Sequence, residues 1–290
     1  MPSDTRALVL GTRGSALALA QARLVAIRLG ARVEVRVIRT TGDDSDAPLV
    51  GMGDGVFVTA IEQALLRHEI DLAVHSLKDL PTAPRPGLII AAVPEREDPR
   101  DVLVTRIRRG RSSLPPRARV GSSSPRRAAF LRALAPDSEI VAIRGNVETR
   151  LRKVESGEVD ATVLAFAGLR RLGIAVDPSE TLSLTDCPPA PGQGALAVQC
   201  RADDSALIEK LAHLDHRATR RAVEAERALL HDLGASCELA RGAHGWEERG
   251  DLVLDAALGT PDGIRRASVR GQDPRVLGAR AAALLGGVTV

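Results

Sequence analysis

The feature that most constrains this sequence is a regular alternation of short aliphatic runs with helical patterns between Ala7 and Cys200. Runs such as Leu88–Ala92 have the length of buried strands, and patterns such as Ala16–Leu29 have the length and spacing of a helix. This alternation is typical of βαβ units, whose strands lie mainly parallel in one sheet. The sequence therefore predicts an α/β fold with mainly parallel sheets.

The individual elements follow from the same patterns. The expected strands are Ala7–Leu10, Val33–Ile38, Leu72–Val74, Leu88–Ala92, Val102–Thr105, Ala118–Gly121, Glu139–Ile143, Ala161–Ala165 and Ala195–Cys200. The expected helices are Ala16–Leu29, Val56–Arg67, Arg126–Ala135 and Val147–Ser156. After His216 the pattern changes to a small α+β unit, with helices at Ala218–His231 and Pro274–Leu285 and two strands at Leu252–Ala257 and Ile264–Val269.

Two proline-rich stretches, Pro94–Arg100 and Cys187–Gly194, interrupt these patterns and predict domain crossings. The chain is expected to leave its first domain and later return to it. The predicted domains are residues 1–94 with a return segment at 195–212, residues 100–188, and a C-terminal domain at 217–290. A double crossing of this kind commonly places a ligand in the cleft between two lobes.

Composition narrows the function classes. Lysine accounts for only three of the 40 basic residues, and arginine suits a polycarboxylate ligand. Arginine-rich codon usage is the preferred explanation of this bias when it is taken alone. The sequence pI near 9.1 raises the alternative of a nucleic-acid binder. With no Tyr, three Phe and one Trp, the chain lacks aromatic stacking platforms for single strands, and no recognition-helix motif is present.

Other sequence patterns indicate the cellular location of the protein and whether it binds a metal. The three cysteines form no CxxC pair, and the histidines and cysteines lack metal-ligand spacing, so no metal is expected. No apolar run reaches the ~20 residues of a membrane span, and the first residues show no secretion-signal pattern. We therefore expect a cytoplasmic protein with neither a membrane nor a nucleic-acid partner.

The segment Gly121–Arg127, GSSSPRR, closes a predicted strand and opens a predicted helix. Serine suits the cap of that helix, proline suits its first turn, and its free N–H groups attract an anion. Two arginines in the first turn conflict with the helix dipole, and a bound carboxylate would remove the conflict. An ordinary capped helix with solvated arginines is the alternative.

Two other segments, Thr12–Ser15 and Arg144–Arg150, also join a strand to a helix, the second with Asn146 as its expected cap. Each alone is a weak signal, because Ser, Asn and Gly are common at helix starts. Three such helix starts facing one cleft would hold several carboxylates at once.

The segment Leu72–Pro81 places polar side chains just beyond the carboxyl end of a strand, the usual site position in open α/β sheets. Asp79 would there be a lone acid among basic groups, able to stabilise a cationic intermediate or relay a proton. A helix cap or a pair with Lys78 explains Asp79 equally well. We interpret His75 as a hydrogen-bonded structural histidine.

Cys237 lies in a turn of small residues, whereas Cys200 ends an aliphatic strand. Most single cysteines are buried and inert, and Cys187 and Cys200 are interpreted in this way. The residues around Cys237 do not by themselves assign it a reactive role.

A series of segments, in chain order, resembles the porphobilinogen deaminase family across essentially the whole sequence. They are Thr12–Leu19 (TRGSALAL), His75–Pro81 (HSLKDLP), Glu97–Asp101 (EDPRD), Gly121–Arg127 (GSSSPRR), Arg144–Arg150 (RGNVETR), Ala167–Gly173 (AGLRRLG), Gly192–Ala195 (GQGA), Ala225–Arg227 (AER) and Gly234–Cys237 (GASC). HSLKDLP and SSSPRR are specific motifs.

The resemblance implies three α/β domains, two of them similar to the lobes of periplasmic binding proteins and a third with a cofactor loop. It implies a dipyrromethane cofactor joined to Cys237 by a thioether. Asp79 would be the catalytic carboxylate, supporting loss of ammonia and stabilising the cationic pyrrole. The implied activity joins four porphobilinogens head to tail and releases hydroxymethylbilane by hydrolysis, in a monomer.

The resemblance also implies a set of residues that bind the acetate and propionate groups of the cofactor and the growing chain. These residues are Arg13, Ser15, Ser76, Lys78, Ser122, Ser123, Arg126, Arg127, Arg144, Gly145, Arg150 and Arg171.

The sequence departs from the family pattern in two places. Many relatives read GGKGLFVKE where this chain has Asp54 and Thr59 in place of the two lysines, so neither residue is assigned a binding role. The segment Glu238–Gly242 lacks the usual proline after the cysteine. A non-catalytic, two-lobed polycarboxylate-binding protein is the alternative function, and it needs no reactive Cys237.

Overall fold

The computed structural model describes residues 6–39, 58–106, 114–234 and 240–286. The chain forms two compact units. The first consists of Met1–Arg96 and Ala195–Arg220, and the second consists of Glu97–Gly194 and Arg221–Val290. The limits of the three predicted domains stay a prediction. In the described ranges, no helix combines the length and apolar character needed to cross a membrane.

The elements are numbered in chain order. The strands are β1 (Leu8–Thr12), β2 (Val33–Val37), β3 (Leu72–Ser76), β4 (Leu88–Ala92), β5 (Asp101–Thr105), β6 (Arg119–Gly121), β7 (Glu139–Val141), β8 (Ala161–Ala165), β9 (Leu196–Arg201), β10 (Ala240–Glu248), β11 (Asp251–Thr260) and β12 (Gly263–Gly271). The α-helices are α1 (Ala16–Leu29), α2 (Thr59–Leu66), α3 (Pro125–Leu134), α4 (Val147–Glu155), α5 (Phe166–Arg171), α6 (Ser205–Leu211), α7 (Arg217–Asp232) and α8 (Pro274–Gly286).

The first unit is built on a five-stranded sheet with the order β2-β1-β3-β9-β4. β1 is parallel to β2 and β3, whereas β9 lies between β3 and β4 and is antiparallel to both. Leu10, Leu72 and Val198 of this sheet are buried with Ala22 and Val25 of α1. The chain therefore returns to its first sheet after the second proline-rich stretch.

The second unit contains a four-stranded sheet with the order β5-β8-β6-β7. β6 is parallel to β7 and β8, and only β5 is antiparallel to its neighbour. Leu103, Val120 and Val163 form its core with Phe130 and Leu131 of α3. The predicted α/β class with mainly parallel sheets is confirmed.

The second unit also contains a three-stranded antiparallel sheet, β10-β11-β12. Leu252 and Leu254 on one face of β11 are buried with Ala225 and Leu229 of α7 and Leu277 of α8. Both helices therefore cover one face of this sheet, as expected for the predicted α+β unit.

The prediction of only two strands in this C-terminal part was wrong, because β10 is a third. Its glycines are poor strand formers, and tertiary packing requires them. A Cβ on Gly242 would lie 2.6 Å from Cβ of Pro188, and one on Gly245 would lie 2.8 Å from the backbone oxygen of Ala222. The Gly245 N–H also donates to the buried Glu226 carboxylate at 2.7 Å.

Candidate functional site

The carboxyl ends of β1 and β3 lie side by side in the first unit, because the two strands are parallel and Leu10 pairs with Leu72. The chain beyond β1 carries Arg13 and Ser15, and the chain beyond β3 enters a short 3₁₀ turn at Leu77–Asp79. A small pocket at this edge is lined by Arg13, Ser15, Ser76 and Asp79, together with Thr12 and His75. The structure thus brings four of the predicted site residues together.

Local hydrogen bonds fix the two serines of this pocket. The Ser15 hydroxyl accepts from the Ala18 N–H at 3.3 Å and caps α1. The Ser76 hydroxyl accepts from the Gln21 side chain at 2.8 Å. The first turn of α1 holds no acidic residue, so its positive end is directed at this edge of the sheet without an internal counter-charge.

His75 is buried beneath the pocket and is neutral. Its Nε2 lies 3.1 Å from Oε1 of Gln199, whose amide nitrogen donates to Glu62. The Gln199 oxygen therefore accepts, and Nε2 of His75 carries the proton. Burial lowers the pKa of His75 to about 4, and the hydrogen bond to Gln199 offsets only part of that shift. The interpretation of His75 as a hydrogen-bonded structural histidine is confirmed.

Asp79 and its neighbour Lys78 are exposed at the end of the same turn. The cap residue of the turn is Ser76, so Asp79 does not serve as its cap. Within the described ranges, the Asp79 carboxylate has no hydrogen bond or ion pair with another residue, Lys78 included. The structural alternatives for Asp79 thus find no support, and its carboxylate is open to a ligand.

In the second unit, the serines of GSSSPRR serve the backbone between β6 and α3. Ser124 caps α3 by accepting from the Arg127 N–H at 3.4 Å. The Ser122 hydroxyl accepts from the Ser124 N–H, and the Ser123 hydroxyl donates to the Ile143 carbonyl at 2.7 Å. The predicted cap and the proline at the start of the helix are confirmed.

Arg126 and Arg127 are buried and share the carboxylate of Asp101, at the start of β5. Their Nη2 atoms lie 2.6 and 2.8 Å from Oδ2 and Oδ1 respectively. Gln193 also donates to Asp101 at 2.9 Å. Burial alone would raise the pKa of Asp101, but the charges and hydrogen bonds of the two arginines outweigh it and lower this pKa well below its usual range.

Asp101 changes the interpretation of the two arginines at the start of α3, for which the sequence predicted a bound ligand. A carboxylate does resolve the conflict of two arginines with the helix dipole, but the chain itself supplies it. In the sequence, Asp101 stands out only as the last residue of the EDPRD motif. Its signal was the presence of an acidic residue at the start of an otherwise aliphatic strand, because unpaired acids are rarely buried.

The cluster keeps an excess of positive charge after this pairing. Two buried arginines face one carboxylate, and Nε of Arg127 is buried without a hydrogen-bond partner in the described ranges. Burial and then the charge of Arg127 lower the pKa of Arg150. A further anion would accept a hydrogen bond from Nε of Arg127 and reduce the repulsion between Arg127 and Arg150.

The remaining predicted residues occupy different positions. Asn146 caps α4, and Arg150 donates from Nε to the Gly145 carbonyl at 2.8 Å. Arg144 is exposed, whereas Arg171 is half-buried and donates to the Gly194 carbonyl at 2.6 Å.

Two of the residues singled out from the sequence, Cys237 and Asp54, lie outside the described residues. Thr59, which replaces the second lysine of the family pattern, begins α2.

Comparison with known families matches nearly the whole chain. Residues 8–209 match "Porphobilinogen deaminase, dipyromethane cofactor binding domain", and residues 220–286 match "Porphobilinogen deaminase, C-terminal domain".

Curated relatives agree with both matches. A porphobilinogen deaminase of Nocardia farcinica is 48% identical over 92% of this chain and 82% of its own length. One of Thermobifida fusca is 50% identical over 88% of this chain and 82% of its own length. One of Mycobacterium tuberculosis is 53% identical over 81% of this chain and 77% of its own length.

Proposed function

Because this chain belongs to the porphobilinogen deaminase family, we propose that it is a hydroxymethylbilane synthase acting in tetrapyrrole (heme) biosynthesis. It condenses four porphobilinogens head to tail on a dipyrromethane cofactor joined to Cys237, losing one ammonia at each addition. Hydrolysis then releases hydroxymethylbilane. The observation that carries this proposal is the pocket that joins Asp79 to Arg13 at the carboxyl ends of β1 and β3. The alternative of a non-catalytic binding protein is not favoured.

The described residues fit a polycarboxylate cofactor. In the second unit, the excess positive charge of Arg126 and Arg127 and the unpartnered Nε of Arg127 suit an anionic acetate or propionate group. Arg150 adds a third cation beside Arg127. The remaining proposed contacts come from Arg144, Gly145, Arg171, Ser122 and Ser123 in the second unit and from Arg13, Ser15, Ser76 and Lys78 in the first.

The other two cysteines support the choice of Cys237 as the attachment residue. Burial and then the Asp101 carboxylate raise the pKa of Cys187 to about 12. Burial and then Asp204 raise the pKa of Cys200 to about 11. Both thiols are buried and protonated at neutral pH, whereas attachment needs a thiolate within reach of the reacting carbon.

When bound, the dipyrromethane supplies the terminal pyrrole carbon to which the first substrate is added. Asp79 acts on the incoming porphobilinogen. Its carboxylate stabilises the positive charge that the substrate pyrrole acquires as the carbon–nitrogen bond breaks and ammonia leaves. A carboxylate without an ion pair to any described residue suits this role, because none of their cations already neutralises its charge.

Two neighbours assist Asp79 in this pocket. The Arg13 guanidinium pairs with a substrate carboxylate and orients the ring, since arginine binds carboxylates through paired N–H donors. His75 stays neutral under the pocket and adds no positive charge that would compete with the substrate for Asp79. Action as a monomer in the cytoplasm remains part of the proposal.

Intact mass under denaturing conditions tests the attachment, with purified wild type beside Cys237→Ser and the matched control Cys200→Ala. We expect an excess mass of two linked pyrroles in the wild type and the control and none in Cys237→Ser. Wild type should also convert porphobilinogen into hydroxymethylbilane. A wild type that stays unmodified and inactive after incubation with porphobilinogen would refute the proposed function.

A further inference from the structure

A groove of about 730 Å³ lies in the second unit, and its lining includes none of the described residues assigned above to the reaction. Its floor is the face of the β10-β11-β12 sheet opposite the one that packs on α7 and α8. Leu184, Thr185 and Pro188 form a wall of this groove. Small-molecule sites commonly have volumes of roughly 300–1,000 Å³, so the groove has the size of a ligand site.

The floor carries a pair of stacked aromatic rings. His244 and Trp246 are two residues apart on β10 and therefore project from the same face of the sheet. Their rings are stacked, with centroids 5.3 Å apart and planes inclined by 17°. Trp246 is only half-buried, so a planar ring can pack against the exposed part of this pair.

Two side chains of opposite charge, one acidic and one basic, flank the aromatic pair. Asp255 on β11 pairs in register with His244, and Arg266 on β12 is its diagonal neighbour, because Asp255 pairs with Ser268. Diagonal neighbours are about 7–8 Å apart in an antiparallel sheet, a span that a small ring with one carboxylate can bridge.

Both charged groups are available to a ligand. Across the residues that the structure describes, neither Asp255 nor Arg266 makes a side-chain hydrogen bond or ion pair, with each other or with a third residue. Asp255 can only accept hydrogen bonds when ionised, and Arg266 can only donate them.

We propose that this groove is a second binding site, specific for a heteroaromatic carboxylate whose ring carries an N–H group. The ring packs on the His244–Trp246 pair, the ring N–H donates to Asp255, and the carboxylate accepts from Arg266.

Fluorescence of the holoenzyme tests the proposal directly, because Trp246 is the only tryptophan and the chain has no tyrosine. The probe is pyrrole-2-carboxylate, which carries both groups but lacks the aminomethyl group needed for condensation. We expect a saturable change in Trp246 emission, with calorimetry giving the same dissociation constant. Arg266→Gln should weaken binding about tenfold by removing a charge-assisted hydrogen bond, while Arg275→Gln, an exposed change on α8, should not alter it.

A second acid isolates the role of Asp255. Furan-2-carboxylate has the same shape without the N–H, and we expect it to bind the wild type about tenfold more weakly than the pyrrole acid. In Asp255→Leu the difference between the two acids should disappear. Porphobilinogen condensation by Arg266→Gln should be unchanged, so failure of this proposal and failure of the proposed function are separable.

Three results would overturn the proposal. The first is the absence of both an emission change and a heat of binding. The second is equal affinity of wild type and Arg266→Gln for the probe. The third is binding that is lost in Arg13→Gln but kept in Arg266→Gln, which would place the probe in the pocket of the first unit.

Discussion

Nη2 of Arg127 lies 2.8 Å from Oδ1 of Asp101, with 9% of the arginine side chain and none of the aspartate side chain exposed. Such a pair needs both members, because a single buried charge loses its hydration without compensation. Asp101 therefore allows two arginines to be buried in the first turn of α3, where the helix dipole opposes them.

Removal of this carboxylate should destabilise the protein. Asp101→Asn leaves both guanidinium groups buried without a counter-charge, and loss of one member of a buried ion pair costs about 3–5 kcal/mol. Urea unfolding should show a decrease of that size in the free energy of unfolding. Asp98→Asn is the matched control, since its partner Arg100 is 43% exposed, and it should lose less than about 1 kcal/mol. Equal losses in the two variants would contradict the special role of Asp101.

The charge of Asp79 should matter for turnover and not for folding. Asp79→Asn keeps the size of the side chain but cannot stabilise a cation, so we expect kcat to fall by about 10²–10⁴-fold. The variant should keep its cofactor mass and its thermal stability, because Asp79 is exposed and makes no side-chain hydrogen bond or ion pair with the residues that the structure describes. Asp203→Asn, another exposed aspartate of the first unit, serves as the control. Wild-type turnover in Asp79→Asn would remove this residue from the mechanism.

Buried His75 should make stability depend on pH. Its pKa is about 4 in the folded protein against 6.5 for a free side chain, so between these values the unfolded chain binds more protons. Stability should therefore be complete above pH 6.5 and fall as the pH drops toward 4, by up to about 3 kcal/mol.

Variants separate this effect from other titrating groups. His75→Gln should flatten the pH dependence in that window, as measured by unfolding at a series of pH values. His68→Asn should leave the dependence intact, because His68 is exposed and asparagine tolerates its φ of 59°. If the fall in stability between pH 6.5 and 4 persists unchanged in His75→Gln, another titrating group causes it.

The close approach of β10 to α7 should make Gly245 intolerant of a side chain. A Cβ at this position would lie 2.8 Å from the Ala222 carbonyl oxygen, and neither backbone can move freely. We expect Gly245→Ala to lower the free energy of unfolding by about 1–3 kcal/mol. Gly286→Ala, where a Cβ meets nothing within 4 Å, should leave the free energy of unfolding nearly unchanged. Thermal unfolding of both variants measures these changes.

Sequence reasoning succeeded where structure is local. The limits of α1 were predicted correctly, because Ser15 caps the start of the helix and the aliphatic period continues to Leu29. The placement of Asp79 beyond a strand end also followed from local pattern, since β3 is a short aliphatic run. β10 was missed because its glycines fit a strand only through the packing of Pro188 and Ala222 against it.

The buried ion-pair cluster could not be predicted for a similar reason. Asp101 and Arg126 are 25 residues apart, and they meet only because β5 and the start of α3 belong to the same folded unit. An arginine that binds a ligand and one that binds the chain's own carboxylate look the same in sequence. The two arginines in the first turn of α3 indicated that an anion lies beside them, but the sequence did not show that Asp101 supplies it.

The position of β9 has a consequence for the order of folding during synthesis. The hydrogen bond between the side chains of His75 and Gln199 joins residues 124 positions apart. β3 and β4 are made early, but the strand that separates them, Leu196–Arg201, emerges from the ribosome more than a hundred residues later. Until then, the facing edges of β3 and β4 are unpaired and open to association with other nascent chains. The growing polypeptide must shield an incomplete sheet while the intervening segment folds, so we expect slow, chaperone-assisted maturation of the first unit.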